Sequence, residues 1–159
     1  MNENNIRSSY IQNNYGKLFQ ALINTTKPET CVEIGVLDGY STIQIGLALK
    51  SSGTGHLYAY DLFEDYPYTN QKYKEVSSRM KRLDLYNEVT LKKGDIMKAS
   101  RDFGISSIDF MHVDISNSGK TISNILSVWD EKIKPGSTLI IEGGSPLRDE
   151  ISWMNKFKK

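Results

Sequence analysis

The stretch from Thr30 to Ser41 constrains this chain more than any other. Thr30-Cys31-Val32-Glu33-Ile34-Gly35 is a short, β-branched run suited to a buried strand. It passes through Gly35-Val36-Leu37-Asp38-Gly39 into Ser41 to Lys50, where Ile43, Ile45, Leu47 and Leu49 fill an apolar helix. Ser41 or Thr42 can cap that helix, and Gly53 and Gly55 close it. A strand that turns through glycines straight into a helix is the opening of a βα unit, and such units build parallel sheets.

The rest of the sequence repeats the alternation. Residues 6–24 carry Ile6, Tyr10, Ile11, Leu18, Phe19, Leu22 and Ile23 at helical spacing, and Lys27-Pro28 ends that helix. Further strands are expected at 56–61, 88–92, 108–114 and 137–142, with helices over 69–83, 96–103 and 119–131 and a turn at Pro135-Gly136. The reading is a single α/β domain over 1–159. Its mostly parallel, doubly wound, Rossmann-like sheet of about five strands has helices on both faces. An N-terminal helical segment (1–26) precedes it and a helical tail (143–159) follows. No strand beyond the fifth is evident in 143–159, as expected either of a truncated or minimal version of the fold or of a sheet whose edge a second copy or another partner completes.

Composition excludes several classes. Twenty Lys and Arg against nineteen Asp and Glu leave a formal charge of +1, no electrostatic basis for nucleic-acid or anionic-membrane binding. The basic runs Lys92-Lys93 and Lys156 to Lys159 read as solvated faces. No apolar stretch nears the roughly 20 residues of a membrane span, and Met1 to Asn5 lacks the features of a signal peptide. With Cys31 as its only cysteine the chain can form no internal disulfide, and a cytoplasmic setting is expected.

In a sheet of this kind ligands bind at the carboxyl ends of the strands. Gly35 lets the chain leave the first strand tightly, and Gly39 lets backbone approach a ligand. The spacing is G-x-x-x-G and not the G-x-G-x-x-G of a dinucleotide site, which disfavours an NAD-dependent oxidoreductase. Glu33 repels a pyrophosphate but suits a cationic ligand, and S-adenosylmethionine (AdoMet, SAM) carries an α-amino group, a sulfonium and no phosphate. Asp61 ends the second strand, where a carboxylate can accept hydrogen bonds from both ribose hydroxyls. Asp95, after Gly94, can accept from the adenine amino group, and Asp114 ends the fourth strand. Acids at Glu33, Asp61, Asp95 and Asp114 thus mark four successive strand ends.

Val32-Glu33-Ile34-Gly35-Val36-Leu37-Asp38-Gly39-Tyr40-Ser41-Thr42, with Tyr15-Gly16 before it, resembles class I AdoMet-dependent methyltransferases. The likeness is to the small-molecule O-methyltransferase branch that includes catechol and macrolide-sugar O-methyltransferases. It continues through Tyr60-Asp61, Gly94-Asp95, Ile108 to Asp114 and Lys134 to Glu142. The resemblance implies that Glu33 and the Gly35–Gly39 backbone hold the methionine portion, Asp61 the ribose, and Asp95 with Ile96 the adenine. The expected cofactor contacts are Glu33, Gly35, Val36, Gly39, Ser41, Asp61, Leu62, Gly94, Asp95, Ile96 and Asp114.

The acceptor half matches that branch less well. The branch closes its fourth and fifth strands with acids, His and Asn that hold a divalent cation; this chain has Asp114-Ile115-Ser116-Asn117 and Glu142-Gly143. Two carboxylates plus waters make only a weak Mg²⁺ site, so Mg²⁺ is not favoured. Asp114 is then the candidate catalytic base, or a group that positions the acceptor. His112, mid-strand, reads as a satisfied core histidine. Tyr66, Tyr68 and Tyr73 either line an acceptor pocket or lie in a solvated loop. The expected function is AdoMet-dependent O-methylation of a small, sugar-like or natural-product-like acceptor. The alternative is a non-catalytic AdoMet-binding or interaction module with a degenerate acceptor site.

Overall fold

The computed structural model describes residues 6–11, 13–66, 71–115 and 119–142. Its elements run α1 (Tyr15–Thr26), β1 (Thr30–Ile34), α2 (Tyr40–Ser52), β2 (His56–Asp61), α3 (Tyr73–Arg82), β3 (Val89–Lys93), α4 (Ile96–Ala99), β4 (Ile108–Val113), α5 (Gly119–Trp129) and β5 (Ile133–Ile141). The five strands lie parallel in the order β3-β2-β1-β4-β5. The chain winds outward from β1 in one direction, then returns to lay β4 on its other side. This reversal opens a crevice at the carboxyl ends of β1 and β4.

Side chains alternate across the pleat, and each face meets its own helices. Cys31, Leu57, Ala59 and Phe110 join Phe19 and Ile23 of α1, Ile45 and Leu49 of α2, and Val76 and Met80 of α3. On the opposite face Val32, Ile34, Tyr60, Met111 and Val113 pack with Ile125 and Trp129 of α5. Trp129 and Cys31 are both fully buried, and burial first, then Asp109, pushes the Cys31 thiol above its usual range. Lys92 pairs with Asp102, and Lys93 with Glu64 and Asp65, so that basic run is matched locally. Among the described residues no helix is long and apolar enough to cross a membrane.

Two expectations are corrected. The helix expected over 6–24 begins only at Tyr15, after Asn14 with φ 55°. The described residues before it, from Ile6 on, form an irregular segment whose side chains reach the turn after β1 and the carboxyl ends of β4 and β5. The turn at Pro135-Gly136 lies instead within β5. Between the pairs Ile108–Ile133 and Phe110–Thr138 the register slips, so β5 accommodates a proline that cannot donate and Gly136 at φ 83° as an irregularity. The expected tail helix lies outside the described residues, as do Tyr68, Ser116 and Asn117.

Candidate functional site

The ladder continues one residue past each strand end, and that fixes the rim. Gly35 N–H donates to Tyr60 O, Gly94 to Asp61 O, Asp114 to Ile34 O and Glu142 to Val113 O, at 2.8–3.0 Å. At Gly35 the approach is so close that a Cβ would stand 2.0 Å from the carbonyl oxygen of Asp114, and φ is 92°. Only glycine lets β1 turn beneath the end of β4.

Asp61 holds the turn that follows. Its Oδ2 accepts from the backbone N–H of Val36 (2.7 Å) and Leu37 (3.1 Å), and its Oδ1 from Phe63 N–H (2.8 Å). Leu37 and Phe63 both take φ 50°, a conformation disfavoured for bulky residues. A carboxylate offers about four acceptor positions, so roughly one remains for a ligand hydroxyl where sequence reasoning expected two. Gly39, φ 85°, starts α2 without a side-chain cap. The leading N–H groups of a helix have no partner within it.

Behind the rim lies a buried polar chain. Glu33 is fully buried on the face of the sheet toward α1 and α2, paired in register with His112 of β4. Thr42 Oγ1 donates to Glu33 Oε2, and Glu33 Oε1 lies 3.0 Å from His112 Nδ1. His112 Nε2 is 2.9 Å from the Tyr10 hydroxyl, which donates to Asp114 Oδ2 at 2.9 Å. Burial, then the charges of Asp114 and Glu142, drive the Tyr10 phenol far above its ordinary value, so it remains a donor. Glu33, expected against the ligand, thus faces inward, and Ser41 is buried in the first turn of α2.

The segment Ile6–Ile11 is clamped over this end. Arg7 donates to Asp38 from its backbone N, Nε and Nη2, each at 2.9 Å, and Arg79 Nη1 donates to Asp38 O. Ser9 Oγ donates to Glu142 Oε1 at 3.3 Å. Tyr10, Arg7 and Ser9 escaped sequence reasoning because they were assigned to a helix. The sole cue is a tyrosine, Tyr10, on an otherwise apolar stripe.

On the far side Asp95 caps α4, its Oδ1 accepting from Met97 N–H at 2.9 Å, while its residue stays exposed. Leu62, 40 % exposed, and Ile115, 38 %, follow the ends of β2 and β4 as open apolar surface. Val36 is buried, and Ile96, partly buried, accepts through its carbonyl from Trp129 Nε1. Tyr73 packs edge-on against Phe63, and Tyr66 is partly exposed. The donor set suits AdoMet: carboxylates and glycine backbone on one side, open apolar side chains on the other, and no phosphate-binding cation in the turn. Asp114 and Glu142 each accept a hydroxyl hydrogen, and among the described residues no group of three or more His, Cys, Asp or Glu could hold a metal ion.

A family model described as a methyltransferase domain matches residues 32–142, the span from β1 to the end of β5. The chain belongs to that methyltransferase-domain family. No curated protein matches it in sequence. Among solved structures, it is similar to a Podospora anserina methyltransferase bound to S-adenosylhomocysteine (SAH), with 14% identity and a TM-score of 0.69 over 86% of this chain and 53% of that one. A Bacillus cereus O-methyltransferase in complex with SAH gives 20% identity and 0.63, over 96% and 70%. An O-methyltransferase from Streptomyces achromogenes involved in tomaymycin synthesis, in complex with SAM, gives 17% and 0.62, over 97% and 71%. The chain thus spans little more than half the length of the Podospora protein.

Proposed function

We propose that this domain binds AdoMet on the turn from Gly35 to Gly39 and methylates a hydroxyl of a small molecule. The observation that carries the reading is Asp114, fixed by the ladder directly beside the Gly35 turn with one oxygen held by Tyr10. Asp61 keeps the turn in shape and offers its remaining acceptor position to a ribose hydroxyl. Asp95 and Ile96, with Leu62, flank the adenine side, and Gly94 keeps the approach open, since a Cβ there would meet nothing within 4 Å. Glu33 acts from behind, through His112 and Thr42.

AdoMet supplies an electrophilic methyl group when bound, so the protein's part is alignment and proton removal. Asp114 Oδ1, which makes no hydrogen bond among the described residues, receives the acceptor's proton as the nucleophile forms. The acceptor enters over Asp114 and Glu142, between the N-terminal segment and the exposed Ile115. A small-molecule panel of phenols and hydroxylated sugars, incubated with AdoMet and assayed for SAH by mass spectrometry, tests this. Turnover on at least one hydroxyl compound, abolished in Asp114→Asn with AdoMet affinity retained, is the expected result. A second reading, a binding module without catalysis, is favoured by the hydroxyls of Ser9 and Tyr10 already engaging Glu142 and Asp114. AdoMet binding without turnover across the panel would establish it instead.

A further inference from the structure

The two hydrogen bonds of the Tyr10 hydroxyl restrict where protons can sit. A phenol has one hydrogen, and a carboxylate has none. The 2.9 Å contact with Asp114 Oδ2 therefore uses the Tyr10 hydrogen, and the 2.9 Å contact with His112 must use a hydrogen on Nε2. His112 Nδ1 and Glu33 Oε1, 3.0 Å apart and both fully buried, then share one further proton. Thr42 closes the inner end by donating to Glu33 Oε2. Every hydrogen between His112 and the rim points outward, which leaves the negative charge of the chain on Asp114, beside the site of a cationic ligand. The opposite arrangement, with Asp114 donating to Tyr10 and Tyr10 to His112, would strand that charge on a wholly buried Glu33. Burial penalises this second state.

From this we infer that Tyr10 is a positioning residue: with His112 locked by Glu33, it orients the Asp114 carboxylate and leaves Oδ1 to take the acceptor's proton. This inference rests on the reading of Asp114 as the base. In the step it serves, the acceptor O–H bond breaks, its electron pair stays on oxygen, and the proton passes to Oδ1. Tyr10 has no contact with the reacting atoms. It reaches the site because the N-terminal segment is fastened by Arg7 to Asp38 and by Ser9 to Glu142, so the acceptor half of the pocket is completed from a part of the chain outside the matched family segment, residues 32–142. The ring itself is seated edge-on against Phe19 and Tyr15, 5.5 and 5.7 Å between centroids. Tyr10→Phe keeps that packing and removes only the hydroxyl.

The test uses the full chain labelled with ¹⁵N-histidine. It has two histidines, and His56, bonded to Asn87 and Thr90, is an internal reference. Long-range ¹H–¹⁵N spectra should show His112 protonated at Nε2 in the wild type. In Tyr10→Phe the Nε2–H resonance should shift, because that hydrogen has lost its acceptor, with His56 unchanged. A wild-type Nε2 without a proton, or identical spectra for the two proteins, overturns the inference. On whichever acceptor the panel identifies, Tyr10→Phe should lower kcat by about tenfold or more, the scale of a misplaced general base, with AdoMet affinity within about twofold. If Asp114→Asn retains turnover, the base reading itself fails. If Asp114→Asn is inactive while Tyr10→Phe turns over normally, only the role of Tyr10 is refuted. Circular dichroism confirms that both variants are folded.

Discussion

Asp61 does more at the residue scale than a ribose ligand would. Leu37 and Phe63 each occupy the left-handed region at about 1–2 kcal/mol. The Asp61 hydrogen bonds to Val36, Leu37 and Phe63 offset that cost. Asp61→Ala should therefore weaken AdoMet binding by about 1–3 kcal/mol, roughly 5- to 150-fold, and also lower thermal stability. Unchanged affinity in a folded variant would place the ribose elsewhere. Asp38 is governed by a different balance. Burial opposes its charge, but the Arg7 guanidinium and backbone N–H outweigh that and hold the carboxyl below the usual range. A depressed folded pKa means the clamp contributes fully above the unfolded value of about 3.9 and is lost as pH falls through the lower, folded value. With Arg7 about a third exposed, the clamp is worth about 1–2 kcal/mol. Wild type should melt higher than Asp38→Asn at pH 6, and the two should converge toward pH 3. A gap that does not narrow between pH 6 and pH 3 would mean the ion pair is not its source.

Among the elements, the β1 turn and the β4 end form one packed unit. Gly35→Ala would put a Cβ 2.0 Å from the Asp114 carbonyl in a backbone conformation already at φ 92°. Neither can relax without separating β1 from β4, so urea unfolding should show a loss of about 3 kcal/mol or more, or no folded protein. Wild-type stability in that variant would contradict the close approach. The same unit shows what sequence can reveal. The β-branched run, the two glycines and the acid ending each strand are local signals, and they located the rim within a residue or two. The N-terminal segment carried a misleading one. Ile6, Tyr10 and Ile11 fit a helical stripe, yet Tyr10 is buried through contacts with Asp114 and His112, more than a hundred residues away in sequence. Nothing within a helix-length window encodes such a partner. The Pro135-Gly136 pair misled for the opposite reason: turn residues also serve as irregularities inside a strand.

For the molecule as a whole, the strand order places the crevice between β1 and β4, and the proposed site draws its residues from well-separated stretches of chain. Alternation of strands and helices made that architecture legible before any coordinates. The direction in which Glu33 and Asp61 point was not legible, because both face partners supplied by other elements. Glu33 turns inward to His112, and Asp61 bends back to its neighbours' backbone, so the open surface of the turn is backbone, the remaining acceptor position of Asp61 and Asp114 Oδ1. That surface is matched to a ligand carrying an amine, a sulfonium and ribose hydroxyls, and offers little to a pyrophosphate. Calorimetric titration of the full chain with AdoMet, and in parallel with NAD, tests this most directly. The account predicts saturable, one-to-one binding of AdoMet that Asp61→Ala weakens, with no comparable heat from NAD. Absence of AdoMet binding, or a preference for NAD, would contradict it.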